Sequence, residues 1–146
     1  DRVQVHSMPA KDIYHDIFVQ SLLKEGWKIT DDPLTLSYGN RDLYVDLGAE
    51  RTVIAAERDE EKVAVEIKSF ISASPVRDLE TAVGQYGIYQ TVLSEIEPDR
   101  VLYLAVPLRV YENILSERFG QLILTSLNIR VIVFDHKNER IVKWIK

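Results

Sequence analysis

The stretch VAVEIKSF, residues 63–70, places Glu66 and Lys68 two apart in a run that otherwise suits a strand. Side chains two apart on a strand share a face, about 6.6 Å apart along it. Ala64, Glu66 and Lys68 therefore face one way, and Val63, Val65 and Ile67 the other. In the ordinary reading the strand is amphipathic, and Glu66 and Lys68 form a weak ion pair in water. In the sharper reading the carboxylate holds a divalent cation, and the lysine holds or polarises an attacking water. Such a site needs a second carboxylate from a neighbouring strand. Asp46, in LYVDLGAE, offers one. Asp is disfavoured inside strands, so its place between Val45 and Leu47 asks for a strand end or a ligand role. Asp42, in NRDLYV, and Glu57, in IAAERD, are rivals for the same role.

Two helices supply further candidates. In GQYGIYQ, Gln85 and Tyr89 are one turn apart and share a face. The plain alternative is a Gln on a polar face and a Tyr in the core. On the first helix, His15 and Asp16 lie eleven and ten residues before Gly26. The plain alternative for both is a surface position.

The elements that must position these groups follow from periodicity. From Asp12 to Lys24, Ile13, Ile17, Phe18, Leu22 and Leu23 recur at helical spacing, and Gly26 ends that helix. WKIT predicts a short strand, DDP a turn, and LTLSYGN another short strand. DLYVDLGAE, TVIAAER and KVAVEIKSF read as successive strands, the last two joined by DEEK. Ser74 and Pro75 mark the start of a second helix, expected to bury Val76, Leu79, Val83, Tyr86, Val92, Leu93 and Ile96. RVLYLAVP is a continuous apolar run, as in a strand covered on both faces. A helical stretch from about Arg109 to Leu127 follows. IRVIVFD and IVKWIK then form a hairpin across HKNE. The predicted order is α-β-β-β-α-β-α-β-β, a mixed α/β sheet with helices on both sides.

Composition narrows the classes. The 146 residues are enough for one domain with a real core, and no cysteine is present. That excludes a disulfide framework, a thiolate metal site and a cysteine nucleophile, and it fits a reducing cytoplasm. No apolar run approaches the ~20 residues of a membrane span. The net charge of −5 argues against a protein that coats nucleic acid, but not against an enzyme with a small basic groove around acidic ligands. Met8, followed by Pro9 and Ala10, reads as a start, with residues 1–7 an N-terminal extension.

Asp46 followed by Glu66-Ile67-Lys68 resembles the pattern of the PD-(D/E)xK nuclease superfamily, and the element order resembles that superfamily's core. Two features depart from it: no Pro-Asp dipeptide is present, and the gap from Asp46 to Glu66 is long for a simple hairpin. Gln85 and Tyr89 resemble the Q-x-x-x-Y helix motif of the RecB-like branch. The resemblance narrows to the XisH family, cyanobacterial proteins called fdxN element excision controlling factors. It is carried by MPAKDIYHDIFVQSLLKEGWKITDDPLTLSYGNRDLYVDLGAE, VAVEIKSF, AVGQYGIYQ, LYLAVP and IVKWI, from Met8 to the C-terminus.

The resemblance implies a restriction-endonuclease-like domain over residues 8–146. It implies Mg²⁺ or Mn²⁺ held by Asp46, Glu66 and the backbone carbonyl of Ile67. Lys68 would orient the attacking water, and Gln85 would position the lysine or the water. His15 or Asp16 would reach a second metal through water, and Tyr89 would lie near nucleic acid. The implied partners are DNA, an XisI-type companion protein and a separate recombinase, with a homodimer left open. No catalytic serine or tyrosine constellation makes this chain the recombinase itself. Two functions therefore stand side by side. One is a metal-dependent DNA phosphodiesterase. The other is a non-enzymatic accessory protein that recruits or regulates a recombinase.

Overall fold

The structure is a computed structural model that describes residues 12–53 and 60–146. The element order is α1 (His15–Lys24), β1 (Lys28–Asp31), β2 (Leu34–Tyr38), β3 (Arg41–Val45), β4 (Leu47–Thr52), β5 (Glu60–Ile67), α2 (Pro75–Ile96), β6 (Arg100–Pro107), α3 (Leu108–Val110), a kinked segment (Tyr111–Leu115), α4 (Arg118–Ser126), β7 (Val131–Asp135) and β8 (Arg140–Ile145). Six strands form one sheet in the order β1-β4-β5-β6-β7-β8, and β2 and β3 form a separate ribbon. The pairs β5–β6 and β6–β7 are parallel. The pairs β1–β4, β4–β5 and β7–β8 are antiparallel.

The alternation along β5 and β6 divides the core in two. Val63, Val65, Ile67, Tyr103 and Ala105 pack against Phe18 and Leu22 of α1. Ala64, Leu102, Leu104 and Val106 pack on the opposite face against Leu79, Tyr86 and Leu93 of α2, with Leu34, Leu36 and Val45 of the ribbon. Both faces of the central strands are thus covered, which is why RVLYLAVP reads as an unbroken apolar run. Tyr86 ties the second layer down: its hydroxyl donates to Leu102 O at 3.1 Å and accepts from Arg130 N at 3.1 Å.

Local signals place the helix ends. Gly26 has φ +86°, a left-handed conformation that stops α1 at little steric cost. Ser74 Oγ accepts from Arg77 N at 3.2 Å, and Pro75 opens α2. The mixed α/β sheet with helices on both faces agrees with the sequence reading, with differences of detail. DLYVDLGAE is two strands, broken at Asp46: β3 belongs to the ribbon and β4 to the main sheet. Among the described residues five strands precede α2, as many as the segments read one by one, whereas the condensed order α-β-β-β-α holds three. β5 begins inside DEEK, at Glu60. Most of TVIAAER, including Glu57, and the extension at residues 1–7 lie outside the described residues. The stretch from Arg109 to Leu127 is interrupted at Tyr111–Leu115, where Asn113 leaves helical geometry (φ −101°, ψ −105°). Val76 and Ile96, expected in the core, are exposed at the two ends of α2. Ile13 and Leu23 of the first helical stretch are also exposed. Among the described residues, no helix is long and apolar enough to cross a membrane.

Candidate active site

Asp46 sits where the chain leaves the ribbon and enters the main sheet, between Val45 of β3 and Leu47 of β4. Leu47 pairs with Val65, so one further step of the antiparallel register sets Asp46 opposite Glu66. The contacts are reciprocal. Asp46 N donates to Glu66 Oε1 at 3.3 Å, and Ile67 N donates to Asp46 Oδ2 at 2.7 Å. Lys68 Nζ lies 3.4 Å from Glu66 Oε2. Its backbone N–H bonds to Ala105 O at 3.0 Å, so the β5–β6 pairing carries on past Ile67 and fixes the direction of the lysine.

Glu66 is 5% exposed, so the amphipathic strand in open water is not what forms. It shares its face with Ala64, beneath α2 and the ribbon. Burial pushes its carboxyl up to about 8, and the nearby Asp46 charge pushes the same way; Lys68 and the Asp46 N–H oppose. Asp46 is also raised, by burial first, against the lowering effects of the Ile67 N–H, Lys68 and His15; Asp12 adds to the rise. Burial, then the Glu66 and Asp46 charges, push the Tyr89 phenol up to about 12. Tyr89, His15 and Asp12 thus lie within electrostatic reach of these carboxylates.

His15 is 2% exposed, with Nε2 2.8 Å from Asp32 Oδ1 and Nδ1 3.2 Å from Asp16 Oδ1. It is a buried, oriented imidazole and not a surface residue. Gln85 lies one turn before Tyr89 on α2, and its Oε1 is buried with no hydrogen-bond partner among the described residues. Asp16 is almost fully exposed and touches the site only through His15. Asp42 is on the ribbon, exposed, and accepts from Ser37 Oγ at 2.7 Å. The structure thus brings Asp46, Glu66 and Lys68 into contact, sets Tyr89 and His15 within reach of their charge, and leaves Asp42 apart.

Three residues near the site carry no local signal. Asp12 Oδ2 accepts from Ser69 N at 2.8 Å, clamping the residue after Lys68. Arg109 donates to Ser69 O at 2.6 Å and to Phe70 O at 3.4 Å. Asp32 holds His15. Each acts across a long chain separation, where periodicity and motif spacing say nothing. An Asp just before a helix and an Arg just after a strand have ordinary uses as a cap and a surface charge.

Asp46, Glu66 and the backbone carbonyl of Ile67 would offer hard oxygens, which suit Mg²⁺ or Mn²⁺. A buried and a half-buried carboxylate, close together and both of raised pKa, are also what a cation would relieve. Among the described residues, no three His, Cys, Asp or Glu side chains gather as a metal-binding group.

The XisH protein family model matches residues 8–142. The chain belongs to the XisH family. It is similar to the crystal structure of an XisH family protein from Nostoc punctiforme PCC 73102, with 37% identity and a TM-score of 0.84 over 92% of this chain and 100% of that one. It is also similar to the crystal structure of an fdxN element excision controlling factor protein from Anabaena variabilis, with 39% identity and a TM-score of 0.83 over 93% of this chain and 100% of that one. No curated protein matches the chain. Within this XisH-family fold, Asp46 and Glu66 stand at the junction of ribbon and sheet, at the end of a central parallel strand.

Proposed function

We propose that this XisH-family protein acts in the excision of a DNA element as a metal-dependent DNA phosphodiesterase of the PD-(D/E)xK type. The role in excision rests on the similarity to the Anabaena variabilis excision controlling factor. The chemistry rests on one observation: Asp46, Glu66 and Lys68 interlock at the end of β5, with Glu66 buried and Lys68 half-exposed. Asp46, Glu66 and the Ile67 carbonyl would hold Mg²⁺ or Mn²⁺, which supplies Lewis acidity at phosphorus and lowers the pKa of a bound water. Lys68 would turn from Glu66 toward the water and the negative charge that develops at phosphorus. Gln85 would fix the lysine or the water, Tyr89 would face the nucleic acid, and the His15–Asp32 pair would steady the approach to Asp46.

The direct test is a divalent-cation titration with DNA substrates, comparing the natural protein with Glu66→Ala. Cleavage that requires the metal and disappears in the variant is the expected result. Equal cleavage by both, or none by either at millimolar metal, overturns it.

A second reading has its own support. No three-residue metal-binding group gathers among the described residues, and Lys68 is engaged by Glu66. On that reading the chain is a non-enzymatic accessory protein, recruiting a recombinase or an XisI-type companion through protein contacts. It would support excision with Lys68 removed.

A further inference from the structure

We propose that a pocket of about 300 Å³, two residues beyond Lys68, takes one unstacked nucleobase of a DNA strand. This deepens, and rests on, the reading of the Asp46–Glu66–Lys68 site as one that handles a DNA phosphate. The pocket is built by the segments that leave the carboxyl ends of the parallel strands β5 and β6, where open α/β sheets bind their ligands. Phe70, Val76 and Ile114 supply apolar walls, while Arg109, Asn113 and Glu117 supply polar groups.

That lining discriminates among ligands. Arg109 is fixed by the carbonyls of Ser69 and Phe70, and a guanidinium has five donors. Asn113 Nδ2 donates to Arg109 O at 2.7 Å, which leaves its Oδ1 as an acceptor. Glu117 adds a carboxylate. A carboxylate beside a phosphate would repel it, so the pocket is a poor seat for the backbone. Apolar walls with donors and acceptors together match a planar base, which stacks by its faces and bonds by its edge.

Two departures from ordinary backbone geometry meet at this pocket. Phe70 has φ +54°, rare for a bulky side chain, and is 8% exposed. The wall that carries Asn113 and Ile114 is the kink at Tyr111–Leu115, where Asn113 leaves helical geometry. Gly120 presses against that segment: a Cβ there would lie 2.1 Å from Ile114 O. The fold thus holds both walls in conformations that local sequence preference does not favour, and such outliers persist where the surroundings impose them.

The test measures binding of a labelled single-stranded oligonucleotide to the natural protein in chelator, where metal-dependent cleavage cannot occur. A series of otherwise identical strands carries one abasic position, moved along the sequence. At one position, loss of the base should weaken binding about tenfold, the scale of one stacked base. In Val76→Gln and Asn113→Ala the ratio between intact and abasic strands should fall to about twofold or less, on the same affinity scale. Both side chains lie at the surface, so unchanged melting curves are expected alongside. Equal binding of every abasic strand by the natural protein, no binding of any strand, or a preference retained in both variants overturns the pocket. Metal-dependent cleavage is read separately. Cleavage without a base preference sinks the pocket alone, and a base preference without cleavage sinks the phosphodiesterase reading alone.

Discussion

The backbone N–H of Asp46 donates to Glu66 Oε1 across the β4–β5 junction at 3.3 Å. In return the N–H that follows Glu66, on Ile67, donates to Asp46 Oδ2 at 2.7 Å. Each acidic side chain is thus held by the other's strand. Buried Glu66 and half-buried Asp46 stay close because each is anchored to a peptide dipole, and Lys68 offsets part of their repulsion.

The first prediction concerns pH. The Glu66 carboxyl is raised from an ordinary 4.5 to about 8 by burial and by Asp46. A carboxyl whose pKa is higher when folded binds its proton more tightly in the folded state. Its contribution is fully present below about 4.5 and is lost as pH rises through about 8. Asp46, also raised, acts in the same direction. The metal-free protein should therefore melt at falling temperature from about pH 5 to about pH 8. Glu66→Gln should flatten that dependence. Calorimetry in chelator checks it, and a flat or rising profile for the natural protein contradicts it.

Mg²⁺ or Mn²⁺ should raise the melting temperature, because a ligand that binds only the folded state stabilises it by mass action. At a hundred times Kd the gain is about 2.7 kcal/mol, worth several degrees in a chain of this length. Asp46→Asn and Glu66→Gln should lose the shift. An unchanged melting temperature at millimolar metal favours the accessory-protein reading.

Lys68→Ala separates chemistry from folding. The carboxylates and the Ile67 carbonyl hold the metal, whereas the lysine acts on water and developing charge. Cleavage should fall about a thousandfold, with the fold and most metal binding intact. The same variant should fail to support element excision in cells. Normal excision by Lys68→Ala would show that nuclease chemistry is not this protein's contribution.

Gly120→Ala should destabilise by about 2 kcal/mol or more, the scale of overpacking against an unyielding neighbour. The added methyl would meet Ile114 O and Leu115 Cα, which are backbone atoms and not the end of a flexible side chain. Chemical denaturation measures it. A variant as stable as the natural protein would mean that the kinked segment Tyr111–Leu115 yields freely.

Much of the architecture is local and so was legible in the residues. The two-residue period of β5 sends Glu66 and Lys68 to one face and Val63, Val65 and Ile67 to the other. Gly26, Ser74 and Pro75 mark helix ends through backbone preference alone, and the apolar length of RVLYLAVP announces a strand covered twice. Asp46 could be read as a strand end or a ligand, because an Asp between Val45 and Leu47 fits poorly inside a strand. Choosing between Asp42 and Asp46 needed the fold. The chain changes sheets at Asp46, and that one step leaves Asp42 exposed on the ribbon and sets Asp46 against Glu66. Burial of Glu66 is likewise a tertiary fact: α2 and the ribbon close over its face, and desolvation then raises its pKa. Asp12, Asp32 and Arg109 reach their partners across 57, 17 and 40 residues. Contacts at such separations depend on how sheet and helices stack, and no local period or motif encodes that stacking.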